Sequence, residues 1–336
     1  MAIAGYWAVA GLYTDAGWHI RHDVDTFFTW AHAVLYSGLL LLLGILIGMY
    51  IVACRNGQRD LRSIFGAAYG WSAIGALVFL AGGIADMVNH LFFGFEGGFD
   101  ALLAPTHQLI GAGVLLIIAG PIRSALLQTP RPATLRDQLP AIIAAAAIME
   151  LIHWGTQVFF RVDAAKSLGI AVPHQLTSDA ITLSTVHFFQ QGGSLIAIIL
   201  QSLLMMGTTL YLVRNFRLRS GALTTLFLLG NGLIAITHAI SVLETAAVLI
   251  ASLVAGIVAD LLSTRGPITA SRLRYEAFAF VVPMIYTGTL LFFTIAFMGG
   301  IWWDPIFAAG AVFYSGLFAL LLSFVAYPEP WTSASP

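Results

Sequence analysis

Two sets of carboxylates and imidazoles stand out by type and spacing. Asp15 and His19 are four residues apart, and Asp86 and His90 are four apart; Asp25 then precedes His32, and Asp100 precedes His107. Positions i and i+4 share one face of an α-helix, so each Asp–His pair aims two donors in one direction. The second histidine of each set, His32 or His107, opens the following helix at the same depth. Asp, His and His converging on a point supply three N/O ligands and leave a fourth position open, the pattern of a reactive metal site rather than a closed structural one. Imidazole suits copper, zinc, iron or nickel. Without a metal, the same residues form carboxylate–imidazolium pairs or hydrogen-bond networks. A looser third set has Glu150 and His153 at i and i+3, then His187 opening the next helix. It reads as an additional polar site, a proton relay or a packing hydrogen bond. His238 with Glu244 reads as structural, and His22 and His174 as loop residues.

The elements that position these groups follow from composition. Of 336 residues, 59% are hydrophobic and 9% are charged, against roughly 25% charged in a soluble domain. A soluble globular domain and a disordered chain are excluded. A net charge of −1 leaves no basic face for nucleic acid. The lone Cys54 excludes an intrachain disulfide or a CxxC metal site. What remains is an all-α polytopic membrane bundle in a lipid bilayer, each span needing about 20 apolar residues. The apolar stretches predict nine spans, at residues 27–54, 64–92, 105–128, 140–161, 183–213, 221–243, 244–262, 277–300 and 305–327. The segment 2–20 is either a short first span or a re-entrant helix. Met1 to Tyr13 has no basic n-region, so no cleavable signal is expected.

Arginines set the orientation. Arg55, Arg59 and Arg62, Arg123, Arg131 and Arg136, Arg214, Arg217 and Arg219, and Arg265, Arg272 and Arg274 flank alternate span ends, so those loops and the C-terminus are expected in the cytoplasm. All nine histidines then fall toward the outer, periplasmic face. The chain also repeats itself as helical hairpins. The run Asp15-x3-His19, Asp25-x6-His32-x5-Gly38 is echoed by Asp86-x3-His90, Asp100-x6-His107-x5-Gly113, and Ala309 to Gly316 echoes Ala31 to Gly38 with Gly310 in the place of His32.

At these residues the chain resembles the C subunit of copper-dependent membrane monooxygenases. The family's first motif is similar to Asp15-Ala16-Gly17-Trp18-His19, twelve residues, then His32, with Asp25-Thr26-Phe27-Phe28-Thr29-Trp30-Ala31-His32 at its end. Its second is similar to Asp86-Met87-Val88-Asn89-His90-Leu91-Phe92-Phe93 followed by Ala104-Pro105-Thr106-His107. The resemblance covers about residues 13–113. It implies one copper on Asp15, His19 and His32, and a second or alternative one on Asp86, His90 and His107. Departures are Trp30-Ala31 where the family has Pro-Ser, Asp86 where it has Asn, and a longer gap between His90 and His107. Residues 140–336 carry no family motif.

One integral membrane domain, 1–336, is therefore expected, with a monooxygenase-C-like part at 1–128 and additional hairpins at 140–336. The expected function is copper binding, with zinc or iron as alternatives, and oxidation by O2 of a small apolar substrate or ammonia near the outer face of the cytoplasmic membrane. Asp25 and Asp100 would orient the ligands. Partner subunits or further copies of the chain are expected beside the bilayer. The rivals are a copper-delivery protein using the same ligands, a proton-coupled transporter in which the Asp–His pairs titrate, and, more weakly, a haem b protein. Few ionisable residues lie in the cytoplasmic halves of the spans, which counts against transport.

Overall fold

The structure, a computed structural model, describes residues 1–21, 28–94, 103–131, 133–156, 180–238, 242–301 and 303–327, without the side chains of 19–21, 180–187, 189–190 and 238. Among the described residues there are helices and no strands. In chain order these are α1 (Ala2–Arg21), α2 (Trp30–Arg55), α3 (Leu61–Phe93), α4 (Pro105–Leu127), α5 (Leu135–Gly155), α6 (Ala180–Asn215), α7 (Ala222–Gly230), α8 (Gly232–His238), α9 (Val242–Thr264), α10 (Arg272–Phe297) and α11 (Pro305–Ala326). A 3₁₀ turn, Ile268–Ala270, precedes α10.

Seven of them are long and apolar enough to cross a membrane: α2, α3, α4, residues Gln191–Asn215 of α6, α9, α10 and α11. In hydrocarbon no water is available to the backbone, so a spanning segment must satisfy its own amides, which a helix does. Helices α1 and α5 stand outside the seven; α1 carries Thr14, Asp15 and His19, and α5 carries Arg136, Asp137, Gln138, Glu150 and His153. Helix starts coincide with side-chain caps. Thr29 accepts from the His32 amide, Asp60 from Arg62 and Ser63, Ser271 from Arg274 and Asp304 from Ile306. Thr134 and Asp137 form a reciprocal capping box.

The chain divides into two compact units, Met1–Gln157 with Leu229–His238, and Val158–Leu228 with Ala239–Pro336. The first is built from α1 to α5 and α8 around the fully buried Tyr13, Phe79, Ile110, Ile117 and Met149. The second contains α6, α9, α10 and α11, with Ile198, Leu291, Trp303, Ala308 and Ala311 forming one core cluster. Large apolar side chains also cover the outside, among them Leu40, Phe92, Phe93, Ile306 and Val325, as expected of helices that face lipid.

The stretch expected as one span at 221–243 is two short helices. α7 ends at Gly230, α8 begins at Gly232, and Asn231 between them is buried. The backbone groups freed by the break find partners within the first unit. The Tyr6 hydroxyl donates to the Leu229 carbonyl at 2.7 Å. The amides of Leu233 and Ile234 donate to the Glu150 carboxylate at 2.7 and 3.2 Å. At the start of α7, in the second unit, Leu223 and Thr224 donate amides to Asp260 at 3.1 and 3.0 Å, and the Thr224 hydroxyl donates at 2.6 Å. Hydropathy alone continues through residue 231, so a window reading joins the two halves.

Candidate metal centre

Small residues bring α3 and α4 together. A Cβ on Gly82 would lie 2.9 Å from the Ile110 amide nitrogen, and one on Gly113 would lie 2.6 Å from the Phe79 nitrogen. These positions therefore need glycine, and the two backbones nearly touch. One turn beyond Gly82 stands Asp86; three residues before Ile110 stands His107. The pair meets, with His107 Nε2 3.2 Å from Asp86 Oδ1. His90, one turn after Asp86 on α3, places its Nε2 3.3 Å from Asp86 Oδ2. The donor atoms of Asp86, His90 and His107 all lie within 4.8 Å of one another. Metal–ligand bonds of about 2.0–2.2 Å hold ligand atoms within about 4 Å of one another, so small side-chain rotations would close the set on an ion. Asp86 and His90 are buried, while the His107 side chain is 16% exposed and forms the open side.

The hydrogen bonds around this trio determine where positive charge is needed. His90 Nδ1 lies 3.2 Å from the Gly94 carbonyl. A carbonyl only accepts, so Nδ1 carries the proton. In the neutral ring Nε2 is then a lone pair, and it faces a carboxylate oxygen. Two acceptors are held face to face only if a cation lies between them or one of the two groups takes a proton. A backbone carbonyl that fixes the tautomer of an imidazole is the usual orienting partner of a histidine ligand. Gly94 can turn its carbonyl back onto the last turn of α3 because its φ is +79°, a conformation open to glycine. Asp86 Oδ1 also accepts from the Thr106 hydroxyl at 2.8 Å. Thr106 lies in the first turn of α4, where helix amides favour negative charge. The donor set thus fits a divalent or monovalent metal ion of the imidazole-loving kind.

The first hairpin uses the same register. A Cβ on Gly11 would lie 2.5 Å from the Leu35 Cα, and one on Gly38 2.9 Å from the Ala8 Cα. Asp15 follows Gly11 by four, His32 precedes Leu35 by three, and His32 Nε2 lies 3.2 Å from Asp15 Oδ1. The local partner of the ring differs, however. His32 Nδ1 lies 3.2 Å from the Thr29 hydroxyl, which also accepts the His32 amide. A hydroxyl can donate to Nδ1, leaving an Nε2–H to donate to Asp15, so this pair closes without a cation. Trp18 and Trp30 stack edge to face beside it at 5.3 Å.

Other expected site residues divide sharply. Glu150 is fully buried, and its carboxylate caps α8; His153 Nδ1 is 3.9 Å away, beyond hydrogen-bond range. The Tyr13 hydroxyl donates to the Glu150 backbone carbonyl at 2.9 Å. Glu244 is buried in the first turn of α9. The side chains of His19, His187 and His238, and residues His22, Asp25, Asp100 and His174, lie outside the described residues. Sequence reasoning gave no role to Thr106, Thr29, Gly94, Gly11 or Gly82, and named Gly38 and Gly113 only as the closing position of the repeat. Thr29 was findable as a cap three residues before His32, and Gly94 as a glycine ending a helix; the Thr106 bond spans the hairpin and had no local sign.

No family model, curated protein or solved structure matches this chain.

Proposed function

We propose that this chain is a copper-binding integral membrane protein related to the C subunit of copper membrane monooxygenases, with Asp86, His90 and His107 as its main copper ligands. The observation that carries the reading is the His90 ring, whose Nδ1–H is committed to the Gly94 carbonyl while Nε2 faces Asp86. That arrangement calls for a positive charge between them, which a bound metal ion supplies in this reading and a second ring proton supplies in its absence. Asp15, His32 and His19 form the second set, which binds more weakly because Thr29 and Asp15 can satisfy His32 without metal.

When bound, copper supplies a one-electron couple beside an open coordination position. The protein's own groups do the rest. Asp86 lowers the net charge of the site, Gly94 and Thr106 hold the ligands in orientation, and buried apolar walls exclude water. The substrate class is a small apolar molecule or ammonia, oxidised with O2, in the chain itself or together with partner subunits. In this reading the chain forms one domain of repeated helical hairpins in the cytoplasmic membrane. It has nine spans and a short N-terminal helix, a cytoplasmic C-terminus and a His-rich outer face. The shared register of Gly11–Leu35 with Gly82–Ile110 supports the repeat.

The test is metal content. The protein, purified in lipid nanodiscs, is supplied with Cu⁺ and assayed by mass spectrometry, beside His107→Ala and His32→Ala. Copper that is lost in His107→Ala and largely retained in His32→Ala supports the assignment and justifies oxidation assays. Zinc or iron at the same residues would keep the ligands and overturn copper chemistry. No bound metal would overturn the reading and leave the Asp–His pairs as ion pairs.

A further inference from the structure

Tyr36 occupies the ground between the two Asp–His centres. It stands one turn after His32 on α2, with ring centroids 6.2 Å apart. Its edge meets Phe79 of α3 at 6.3 Å and an interplanar angle of 90°. The hydroxyl oxygen is buried. It is received by a gap in α3: a Cβ on Gly83 would lie 2.9 Å from Tyr36 Cε1 and 3.0 Å from its hydroxyl oxygen. Gly83 precedes Asp86 by three residues and so shares its helix face. His32, one turn before Tyr36, lies 3.2 Å from Asp15, so the ring stands between the two Asp–His pairs. A phenol in this position adjoins both Asp–His pairs, one through His32 and the other through Gly83.

We propose that Tyr36 is a redox-active residue that donates one electron to the metal centre at Asp86, His90 and His107. This rests on the metal reading above. The phenol O–H bond breaks, the electron goes to the centre, and the proton ends in water formed from the oxidant. With hydrogen peroxide as oxidant the balance is Cu⁺ + Tyr36–OH + H2O2 + H⁺ giving Cu²⁺ + Tyr36–O• + 2 H2O. The peroxide O–O bond breaks and takes up two electrons, one from copper and one from Tyr36, with one proton from Tyr36 and one from solvent. Phe79 and the Gly83 gap hold the ring against α3, on the helix face that carries Asp86 three residues later.

The experiment uses full-length protein in nanodiscs, loaded with Cu⁺, its metal content measured, then mixed with hydrogen peroxide and freeze-quenched. The readouts are the phenoxyl radical signal in electron paramagnetic resonance, its narrowing when tyrosine is ring-deuterated, and the phenoxyl visible absorption. Expected is a radical in wild type that Tyr36→Phe abolishes with copper content unchanged, and that His107→Ala abolishes together with the copper. Gly83→Ala, which crowds the end of the Tyr36 ring, should keep the copper and lower the radical yield severalfold. Copper bound with no radical in wild type, or a radical that persists in Tyr36→Phe, overturns the assignment of Tyr36 and leaves the metal site standing. No bound copper overturns both.

Discussion

Gly82 and Ile110 approach so closely that a single β-carbon on Gly82 would fall 2.9 Å from the Ile110 amide nitrogen. Asp86 is one turn from the first and His107 one turn from the second, so this contact sets the 3.2 Å spacing between the carboxylate and the imidazole. The obstacle is backbone, which has little freedom to yield. Gly82→Leu is therefore expected to destabilise the protein by about 1–3 kcal/mol as an overpacked contact. It should also lose the metal. The thermal midpoint and metal content, measured on one nanodisc preparation, check both; unchanged metal content would show that the helix contact does not set the site.

Thr106 offers a milder probe. Its hydroxyl donates to Asp86 Oδ1 at 2.8 Å without itself being among the proposed ligands. Thr106→Val keeps the shape of the side chain and removes the donor. Losses of this kind around bound metals run to roughly 10–100-fold in affinity, and that is the expected drop. Competition with a chelator of known affinity measures it, and Thr106→Ser should restore most of the loss.

The Asp86–His90 partnership was legible in the sequence, because i, i+4 spacing on a helix fixes direction without knowledge of the fold; the matching Asp15–His19 pair lies outside the described side chains. His32 and His107 were legible for a related reason: each sits just inside a helix start. What was hidden is tertiary. Glu150 and His153 read as a candidate pair because they lie one turn apart, yet the Glu150 carboxylate goes to amides 83 and 84 residues away. Nothing local announces that commitment, but the break at Asn231 that creates it has a local sign, Gly230-Asn231-Gly232, which the apolar run on either side outweighed. The span limits of α2, α4, α9 and α11 were close to those found, since apolar runs end where charge or proline begins.

Glu150 as a cap makes a different prediction from Glu150 as part of a polar site. Glu150→Ala leaves two buried amides without acceptors, each costing about 1–3 kcal/mol. The midpoint of unfolding should fall accordingly while metal content at Asp86, His90 and His107 stays unchanged. Glu150→Gln, which keeps one acceptor oxygen, should recover part of the stability. Loss of metal in a still-folded Glu150→Gln protein would return this residue to the list of functional groups.

Asp260 holds the start of α7 with both oxygens. Asp260→Ala is expected to cost about 0.5–2 kcal/mol, the range for a lost helix cap. Faster amide hydrogen exchange confined to the first turn of α7 would locate the effect, and protection unchanged at Leu223 and Thr224 would contradict it.

The broken segment from Ala222 to His238 also bears on biosynthesis. Its first half waits for an acceptor, Asp260, that leaves the ribosome only after the segment itself, while its second half finds Glu150 already in place. When the translocon first meets this stretch, one end can be completed at once and the other only when α9 arrives. Completion of residues 222–238 is thus tied to the arrival of α9. A chain truncated before residue 260 would lack the acceptor for the Leu223 and Thr224 amides and leave the first turn of α7 without its anchor.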